Sequence, residues 1–279
     1  MFELPECLTL VKQIRETLYN KVVARGLLGN TPHKFVWYNR SHREFERLTR
    51  GKRIGKAWAR GRWMFIPLKP GYVLVVGECG GRILYHPPQS VAPRTYHLLL
   101  SFQDGSLFTV TTQMWGAMEL HEKGKEYEGD LVKDMRPTPI EDRFTLAYFQ
   151  RLIDGLEENR TVKGLLTQDQ LVPGLGNAIA QDILFKARLH PKQPVRDLAP
   201  VQTRKLYKAI VDLTVAVARK GGRRDETNLF GLPGGYDRIM DKNAAGKPCP
   251  RCGKPIEKMQ YLGGTCYFCP ACQRLGAAH

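Results

Sequence analysis

The stretch GKPCPRCGKPIEKMQYLGGTCYFCPACQ, residues 246–273, contains two Cys-x-x-Cys pairs, Cys249/Cys252 and Cys269/Cys272, separated by sixteen residues. Each pair suits a tight turn that points two thiolates at one ion, and two such turns make a tetrahedral four-cysteine site. We therefore predict one structural Zn²⁺ bound by these four cysteines, and its binding supplies the folding energy of a module too small to have its own core. Cys266 lies between the pairs, either as a core residue or as a substitute ligand.

A second motif lies upstream, where Leu171-Val-Pro-Gly-Leu-Gly-Asn177 joins two helical stretches. Its glycines allow a tight turn that leaves backbone N–H groups free at the start of the next helix, an arrangement that binds phosphate. Asn177 can cap that helix and reach a phosphate oxygen, and Lys163 could contact the same strand. A plain turn between two helices is the alternative interpretation.

Hydrophobic periodicity predicts the rest of the architecture, which is of the α+β class. Residues 7–24 have apolar residues at helical spacing, and residues 35–133 contain short β-branched and aromatic runs typical of a β-sandwich or barrel. Pro137-Thr-Pro139 indicates a boundary, after which helical periodicity returns up to Gly221-Gly222. The predicted domains are residues 1–136, 137–246 and 247–279.

The charge of the chain favours a polyanionic partner. Lys and Arg number 43 against 27 Asp and Glu, a net charge of +16, so nucleic acid is the first candidate and an anionic membrane surface the second. Residues 40–62 hold nine Lys/Arg with aromatic residues nearby, either a DNA-facing stripe or a solvated surface. No apolar run approaches the ~18 residues of a membrane span, and residues 1–20 lack a signal-peptide core. We expect a soluble protein in the cytoplasm or on the nucleoid.

Three features occur in one order along the chain: Glu3-Leu-Pro-Glu6 before a helix, the turn ending at Asn177, and the paired cysteines followed by Gln273. In this the sequence resembles the formamidopyrimidine-DNA glycosylase/endonuclease VIII family. The resemblance implies an N-terminal helix plus β-sandwich, a helix–two-turn–helix DNA-binding domain and a zinc finger that clamp kinked duplex DNA. Family members flip a damaged base out of the stack and cleave its glycosidic bond, and most then nick the backbone by β-elimination through a Schiff base.

The sequence departs from the family at the catalytic N-terminus. Methionine is removed in the family and the second residue, usually proline, attacks the sugar with its α-amine, whereas this chain has Phe2. A bulky second residue should block that removal, which leaves only the amine of Met1. Glu3 and Glu6 match acidic family positions, while Arg62 corresponds to a lysine and, being always charged, is a poor proton shuttle although it can hold a phosphate.

The resemblance also implies which residues fill the gap left by a flipped base, and here too this chain differs from the family pattern. Glu78 aligns with an apolar wedge, and Gln113 and Trp115 align with an arginine and a phenylalanine that contact the orphaned base. Trp115 can still insert between bases by stacking. The arginine of the family's finger falls at or near Gly264, so the hairpin lacks that phosphate contact.

We therefore predict a divergent DNA glycosylase for base excision repair, a hydrolase with little or no lyase activity and with Glu3 as the key carboxylate. It is expected to be a monomer that binds damaged or modified double-stranded DNA and no membrane. The leading alternative is a catalytically silent protein that recognises distorted or modified DNA, and RNA or ribosome binding is a weaker one. Glu3 could instead serve only to cap the first helix, and Asp225 and Glu226 could contact an extruded base or be exposed loop charges.

Overall fold

The computed structural model describes residues 1–128 and 136–276, in two compact units. The first unit comprises Met1–Asp134 and Lys220–Tyr236, and the second comprises Met135–Arg219 and Asp237–His279. Helices and antiparallel strands both occur, so the predicted α+β class is confirmed, as is the order of helix plus β-sandwich, helical domain and cysteine module. No helix in the described ranges is long and apolar enough to cross a membrane.

The first unit is a helix packed with two sheets. One sheet has the strand order β1-β8-β9-β7, and the other has the order β2-β10-β6-β5-β3 with β4 paired to β5. Apolar residues of α1 and of both sheets form one buried core, which also includes Phe2. Its elements are α1 (Leu4–Leu18), β1 (Val23–Leu28), β2 (Val36–Tyr38), α2 (His42–Thr49), β3 (Arg53–Ile54), β4 (Trp58–Arg60), β5 (Trp63–Lys69), β6 (Tyr72–Gly77), β7 (Gly81–His86), β8 (Leu98–Phe102), β9 (Leu107–Thr112) and β10 (Gly116–Glu122).

The first helix differs from its predicted range of residues 7–24. It begins at Leu4, where Glu3 is the N-cap and Pro5 lies in the first turn, and it ends at Leu18. Asn20 follows with a φ of 67°, which breaks the helical path, and Val23 begins a strand. The predicted range extended too far because the β-branched residues that follow the helix also point toward the core, and so they continue the apolar pattern.

The second helical boundary was predicted well, but the segment after it was not. Gly221 and Gly222 have φ values of 77° and 95°, and they end the chain's longest helix as expected. Residues 220–236 then belong to the first unit, where Leu229 is completely buried and donates its N–H to Gln13. Polarity alone had suggested a loop of the 137–246 domain, but one buried leucine and its hydrogen bonds fix the segment on the first unit.

The second unit holds the helical domain and the cysteine module. Its elements are α3 (Leu146–Asp154), α4 (Val162–Thr167), α5 (Asn177–Ala187), α6 (Pro200–Arg219), β11 (Glu257–Tyr261) and β12 (Gly264–Phe268). The β11–β12 hairpin packs on α5, where Gln181 accepts the N–H of Tyr267 and donates to the carbonyl of Thr265. Asp182, fully buried on the same helix, accepts the backbone N–H groups of Ile239 and Met240. The hairpin therefore has a fixed position beside the turn that precedes α5.

Candidate active site and metal centre

Phe2 fixes the position of the chain's N-terminus. Its side chain is only 1% exposed and packs in the main core of the first unit. Its backbone N–H donates to the carbonyl of Cys79 at 2.9 Å. Sliding the chain by one residue would therefore remove a large aromatic ring from the core, which typically costs about 3–5 kcal/mol when such a ring is deleted.

Met1 is held through its nitrogen, its oxygen and its sulfur. The terminal ammonium donates to Oε1 of Glu226 at 2.9 Å, and the carbonyl accepts from Nη2 of Arg223 at 2.9 Å. The sulfur lies 3.5 Å from Nη1 of Arg62. The first residue is thus built into the structure instead of being a loose end, and its removal would leave all three partners without these contacts.

Arg223 is the centre of a buried charge cluster. It is 3% exposed, and its Nε, Nη2 and backbone N–H all donate to the carboxylate of Glu6 at 2.9–3.2 Å. Nη1 lies 3.9 Å from Glu3, and Nη2 lies 3.6 Å from Glu226. Burial disfavours the charged guanidinium, but the attraction of Glu6 and Glu3 outweighs it and raises the pKa of Arg223 above its ordinary value.

Gly222 allows this close approach. A Cβ at this position would lie 3.1 Å from Cγ of Glu6, and the φ of 95° is one that a side chain rarely adopts. The two predicted carboxylates, Glu3 and Glu6, are therefore both buried beside Arg223, at 4% and 3% exposure. Glu3 is also the N-cap of α1, and its backbone N–H donates to Glu6 at 2.9 Å.

A pocket of about 310 Å³ opens beside Met1 in the first unit. Its wall includes both acidic residues of the 220–236 segment, Asp225 and Glu226, together with the cationic Arg82 and the amide of Gln113. The remaining lining residues are Met1, Gly80, Gly81, Met114 and Thr227. Carboxylates and an N-terminal ammonium meet here in one concave site, which is the usual place for chemistry on a small group.

Two of the departures from the family pattern are partners of each other. Nη1 of Arg62 lies 3.2 Å from Oε2 of Glu78, and their side chains are 12% and 31% exposed. Glu78 has a φ of 50°, so it lies at a tight turn directly after β6. The two side chains that the resemblance aligns with a lysine and with an apolar wedge thus form an ion pair with each other.

Gln113 and Trp115 lie in the connection between β9 and β10. Gln113 lines the pocket, and its backbone N–H donates to Gly80. Trp115 is 40% exposed and stacks on Trp37, with ring centroids 5.1 Å apart and planes 8° from parallel. Sequence reasoning identified Trp115 alone, because the pairing of β2 with β10 that brings Trp37 beside it is not visible locally.

In the second unit, Asn177 and Lys163 both contact the β11–β12 hairpin. Nδ2 of Asn177 donates to the carbonyl of Thr265 at 3.2 Å, and a Cβ on Gly264 would lie 3.3 Å from the same nitrogen. Lys163 is 2% exposed, and its amine donates to the carbonyl of Tyr261. Asn177 is exposed at the start of α5, whereas Lys163 acts in this structure as a tether of the hairpin. A phosphate contact by either residue stays a prediction.

The four predicted cysteines converge on one point. Their sulfur atoms all lie within 4.8 Å of one another, close to the edge of about 3.8 Å expected for thiolates around tetrahedral zinc. The N–H of Lys254 and the neighbouring thiols lower the pKa of Cys252 to about 7, whereas burial raises the pKa of Cys272 to about 12. The set therefore fits a thiophilic ion, and its coordination would deprotonate all four. Cys266 is buried in β12, outside this cluster.

Arg223 is the residue that sequence reasoning missed altogether. Its signal was the run Arg223-Arg224-Asp225-Glu226 directly after two glycines, which is more charged than a simple turn requires. Glu226 was considered, but an exposed loop position was favoured for it, and the structure gives its side chain only 12% exposure. These residues meet Met1 and Glu6 across more than two hundred positions of sequence, so no local pattern could pair them.

Two family models match the chain. The formamidopyrimidine-DNA glycosylase N-terminal domain matches residues 1–118, and the formamidopyrimidine-DNA glycosylase H2TH domain matches residues 135–227. Both ranges agree with the elements described above, since the first contains α1 and most of both sheets and the second contains α3 to α6.

Similar proteins cover the chain from end to end. The formamidopyrimidine-DNA glycosylase of Thermus thermophilus is 30% identical, over 99% of this chain and 100% of its own length. That of Enterococcus faecalis is 29% identical over 99% of this chain and 98% of its own. A crystal structure of the MutM (Fpg) protein of Thermus thermophilus superposes with a TM-score of 0.82 at 27% identity, covering 98% of this chain and 99% of the other. The Lactococcus lactis Fpg, bound to DNA with an abasic site, shares the fold at a TM-score of 0.85 and 22% identity, over 98% of this chain and 99% of that one.

Proposed function

The chain belongs to the formamidopyrimidine-DNA glycosylase family, and from this premise we propose that it removes damaged bases from DNA by hydrolysis, with little or no strand cleavage. The pocket beside Met1 is the proposed site of base removal. The observation that carries the proposal is the ion pair of the terminal ammonium with Glu226 at 2.9 Å. That contact places a carboxylate beside the terminal amine in the wall of the pocket.

The lack of a nucleophilic amine is what separates hydrolysis from lyase chemistry. A Schiff base requires an unprotonated amine within bonding distance of C1′. The nitrogen of Phe2 is a peptide amide that donates to the carbonyl of Cys79, and the terminal nitrogen of Met1 is held by a hydrogen bond to the carboxylate of Glu226. The nearby cations Arg62, Arg82 and Arg223 carry guanidinium groups, which do not deprotonate in proteins. Water is then the remaining nucleophile.

We propose Glu226 as the carboxylate that activates this water. As the water oxygen attacks C1′, the glycosidic C–N bond breaks with its electron pair on the base nitrogen, and Glu226 accepts the proton released by the water. Arg223, 3.6 Å from Glu226, holds the carboxylate in place. Glu3 is the carboxylate implied by the family resemblance. It lies 3.9 Å from Nη1 of Arg223 and helps to hold that guanidinium in position.

DNA and zinc are the partners that fit this proposal. The net charge of +16 and the exposed Asn177 at the start of α5 support binding of the phosphate backbone. The four-sulfur geometry supports zinc, which when bound cross-links the base of the β11–β12 hairpin. A monomer acting in the cytoplasm on nucleoid DNA stays a prediction from the sequence.

The test is a panel of duplex oligonucleotides, each with one modified base, incubated with the protein and analysed with and without hot alkali. We expect strand cleavage only after alkali, and no covalent complex with DNA when borohydride is added. Intact-mass spectrometry of the protein should show that Met1 is retained. Cleavage without alkali, or a borohydride-trapped complex that disappears when the N-terminus is acetylated, would show instead that the terminal amine is a working nucleophile.

Glu226→Gln is the variant that tests the mechanism. It should reduce base release by about 100-fold or more, the usual contribution of a general base. Glu122→Gln, an exposed carboxylate outside the pocket wall, is the matched control and should retain activity. If Glu3→Gln abolishes base release while Glu226→Gln does not, the proton acceptor is Glu3, as the resemblance implies, and not Glu226. Tight binding without any base release would favour the silent DNA-binding protein.

A further inference from the structure

Three aromatic rings form an exposed stack on the first unit. Trp115 contacts Trp37 at 5.1 Å and Phe35 at 4.8 Å between ring centroids, and each of the three side chains is about 40% exposed. We call Phe35, Trp37 and Trp115 the aromatic stack. Parallel pairing of β2 with β10 holds the rings together, since Trp37 lies opposite Ala117 and the carbonyl of Phe35 accepts the N–H of Gly116. A rigid cluster of exposed rings on a sheet is unusual unless it binds something.

The stack is continuous with the proposed active site. The carbonyl of Trp115 accepts the N–H of Gly80, and Gly80 in turn accepts the N–H of Gln113. Gly80, Gln113 and the 63% exposed Met114 all line the pocket. The rings and the pocket therefore share one segment of the first unit, so a DNA strand that delivers a base to the pocket would pass close to the rings.

The chemistry of the stack favours nucleobases over an aliphatic protein surface. Flat rings with a cation beside them are the usual platform for unpaired bases, and the amine of Lys34 lies 5.7 Å from the ring centre of Phe35. The charge of +16 suits the phosphates that accompany those bases. Bases inside a duplex already stack on their neighbours and must be unstacked before they can contact the rings, whereas unpaired bases offer a face without that cost.

We propose that the aromatic stack binds unpaired bases next to the pocket, and that the preferred substrate is a damaged base in single-stranded or locally melted DNA. This inference rests on the proposed glycosylase function for its substrate but not for its binding. Phe35 and Trp37 both contact Trp115, so Trp115 acts as part of a fixed platform and not as a single inserted wedge.

The experiment measures binding by fluorescence anisotropy with three undamaged probes of one sequence: a single strand, a duplex, and a duplex with a central unpaired bubble. We expect the single strand and the bubble to bind at least about fivefold more tightly than the duplex, and Trp37→Ala to weaken both by about 5- to 100-fold, the usual loss for one stacked base. Binding of the duplex should change less than twofold. Trp37→Tyr, which keeps a flat ring, should restore most of the preference.

Phe230→Ala is the matched control, because Phe230 is a 50% exposed aromatic residue of the same unit outside the stack. It should leave all three affinities unchanged. Equal losses for all probes with Trp37→Ala, or no preference in the unaltered protein, would overturn the proposal, as would a stack-dependent dimer that excludes DNA. If Trp37→Ala fails to fold, quenching of tryptophan emission by unlabelled single strand but not by duplex decides the question. Because no probe contains damage, the result stands or falls independently of base removal.

Discussion

The N-terminal pocket and the turn–hairpin assembly differ in how their residues are brought together. In the second unit the motif residues lie at short, fixed spacings, as in the two Cys-x-x-Cys pairs, and local turns already point them at one site. In the first unit the pocket depends on Met1 and Glu226, which lie 225 positions apart. The contrast shows that the cysteine cluster is encoded by local spacing, whereas the pocket depends on contacts between residues far apart in the sequence.

The charged side chains of the first unit occur as partners. Arg62 pairs with Glu78, and Arg223 pairs with Glu6 while holding the carbonyl of Met1. The terminal amine pairs with Glu226 in the same unit.

The largest expected effect lies on the locally encoded side. Cys269→Ser should abolish metal binding and unfold the β11–β12 hairpin, because structural zinc in such modules contributes about 10–16 kcal/mol of apparent binding free energy. Metal analysis should fall from one zinc per chain to none, and hydrogen exchange should accelerate in residues 246–273. Cys266→Ser is the control and should keep the metal. Metal loss from Cys266→Ser with retention in Cys269→Ser would reverse the ligand assignment.

The next effect tests the buried cluster of the first unit. Arg223→Ala leaves the carboxylates of Glu6 and Glu3 buried without their cation, and should lower the free energy of unfolding by about 3–5 kcal/mol. Denaturant titration measures it. Arg224→Ala, at the exposed neighbouring position, should change stability by no more than about 0.5 kcal/mol. Similar values for both variants would mean that Arg223 is not the organising residue of the pocket.

The next variant, Lys163→Ala, distinguishes a structural role of this side chain from a phosphate contact. Lys163→Ala removes a charged hydrogen bond to the carbonyl of Tyr261, and should cost about 1.5–3 kcal/mol of stability. Lys192→Ala, an exposed lysine over the same tyrosine ring, should cost at most about 1 kcal/mol. If instead stability is unchanged and the salt dependence of DNA binding falls by about one phosphate's worth, the amine contacts DNA as the resemblance implies.

Asn177 gives a weaker effect on stability and a general effect on binding. Its side chain is exposed and makes one hydrogen bond to Thr265, so Asn177→Ala should lower stability by at most about 1 kcal/mol and weaken binding to every DNA sequence alike. Anisotropy titrations with two unrelated duplexes check this. Loss for one duplex only would indicate base recognition instead of a backbone contact.

The smallest effect concerns the ion pair of Arg62 with Glu78. A double-mutant cycle on Arg62→Ala and Glu78→Ala should give a coupling free energy of about 0.5–1 kcal/mol, because both side chains are partly accessible to solvent. Urea titrations of the four proteins measure it. Strictly additive losses would mean that the two replacements are independent of each other.

The sequence predicted more of the second unit than of the first. Helix α6 ends at Arg219, next to the predicted boundary at Gly221-Gly222, and the four predicted cysteines lie together. In the first unit, α1 covers Leu4–Leu18 instead of the predicted residues 7–24. Helix α2 was not predicted, since the basic run over residues 40–62 hides its few buried positions, among them Phe45. Its signal was Ser41 three residues before Glu44, a capping box that periodicity alone overlooks.

The sequence by itself determined the four-cysteine module and the helical periodicity, because these depend on residue type and on spacing along a few turns of backbone. Only the tertiary structure decided what Phe2, Arg62 and Glu78 contact. It brought Glu226 to the ammonium of Met1, Arg223 to Glu6, and Trp37 to Trp115. Contacts of this kind are selected by the packing of a shared core around Phe2 and the sheets, and packing depends on the whole chain at once.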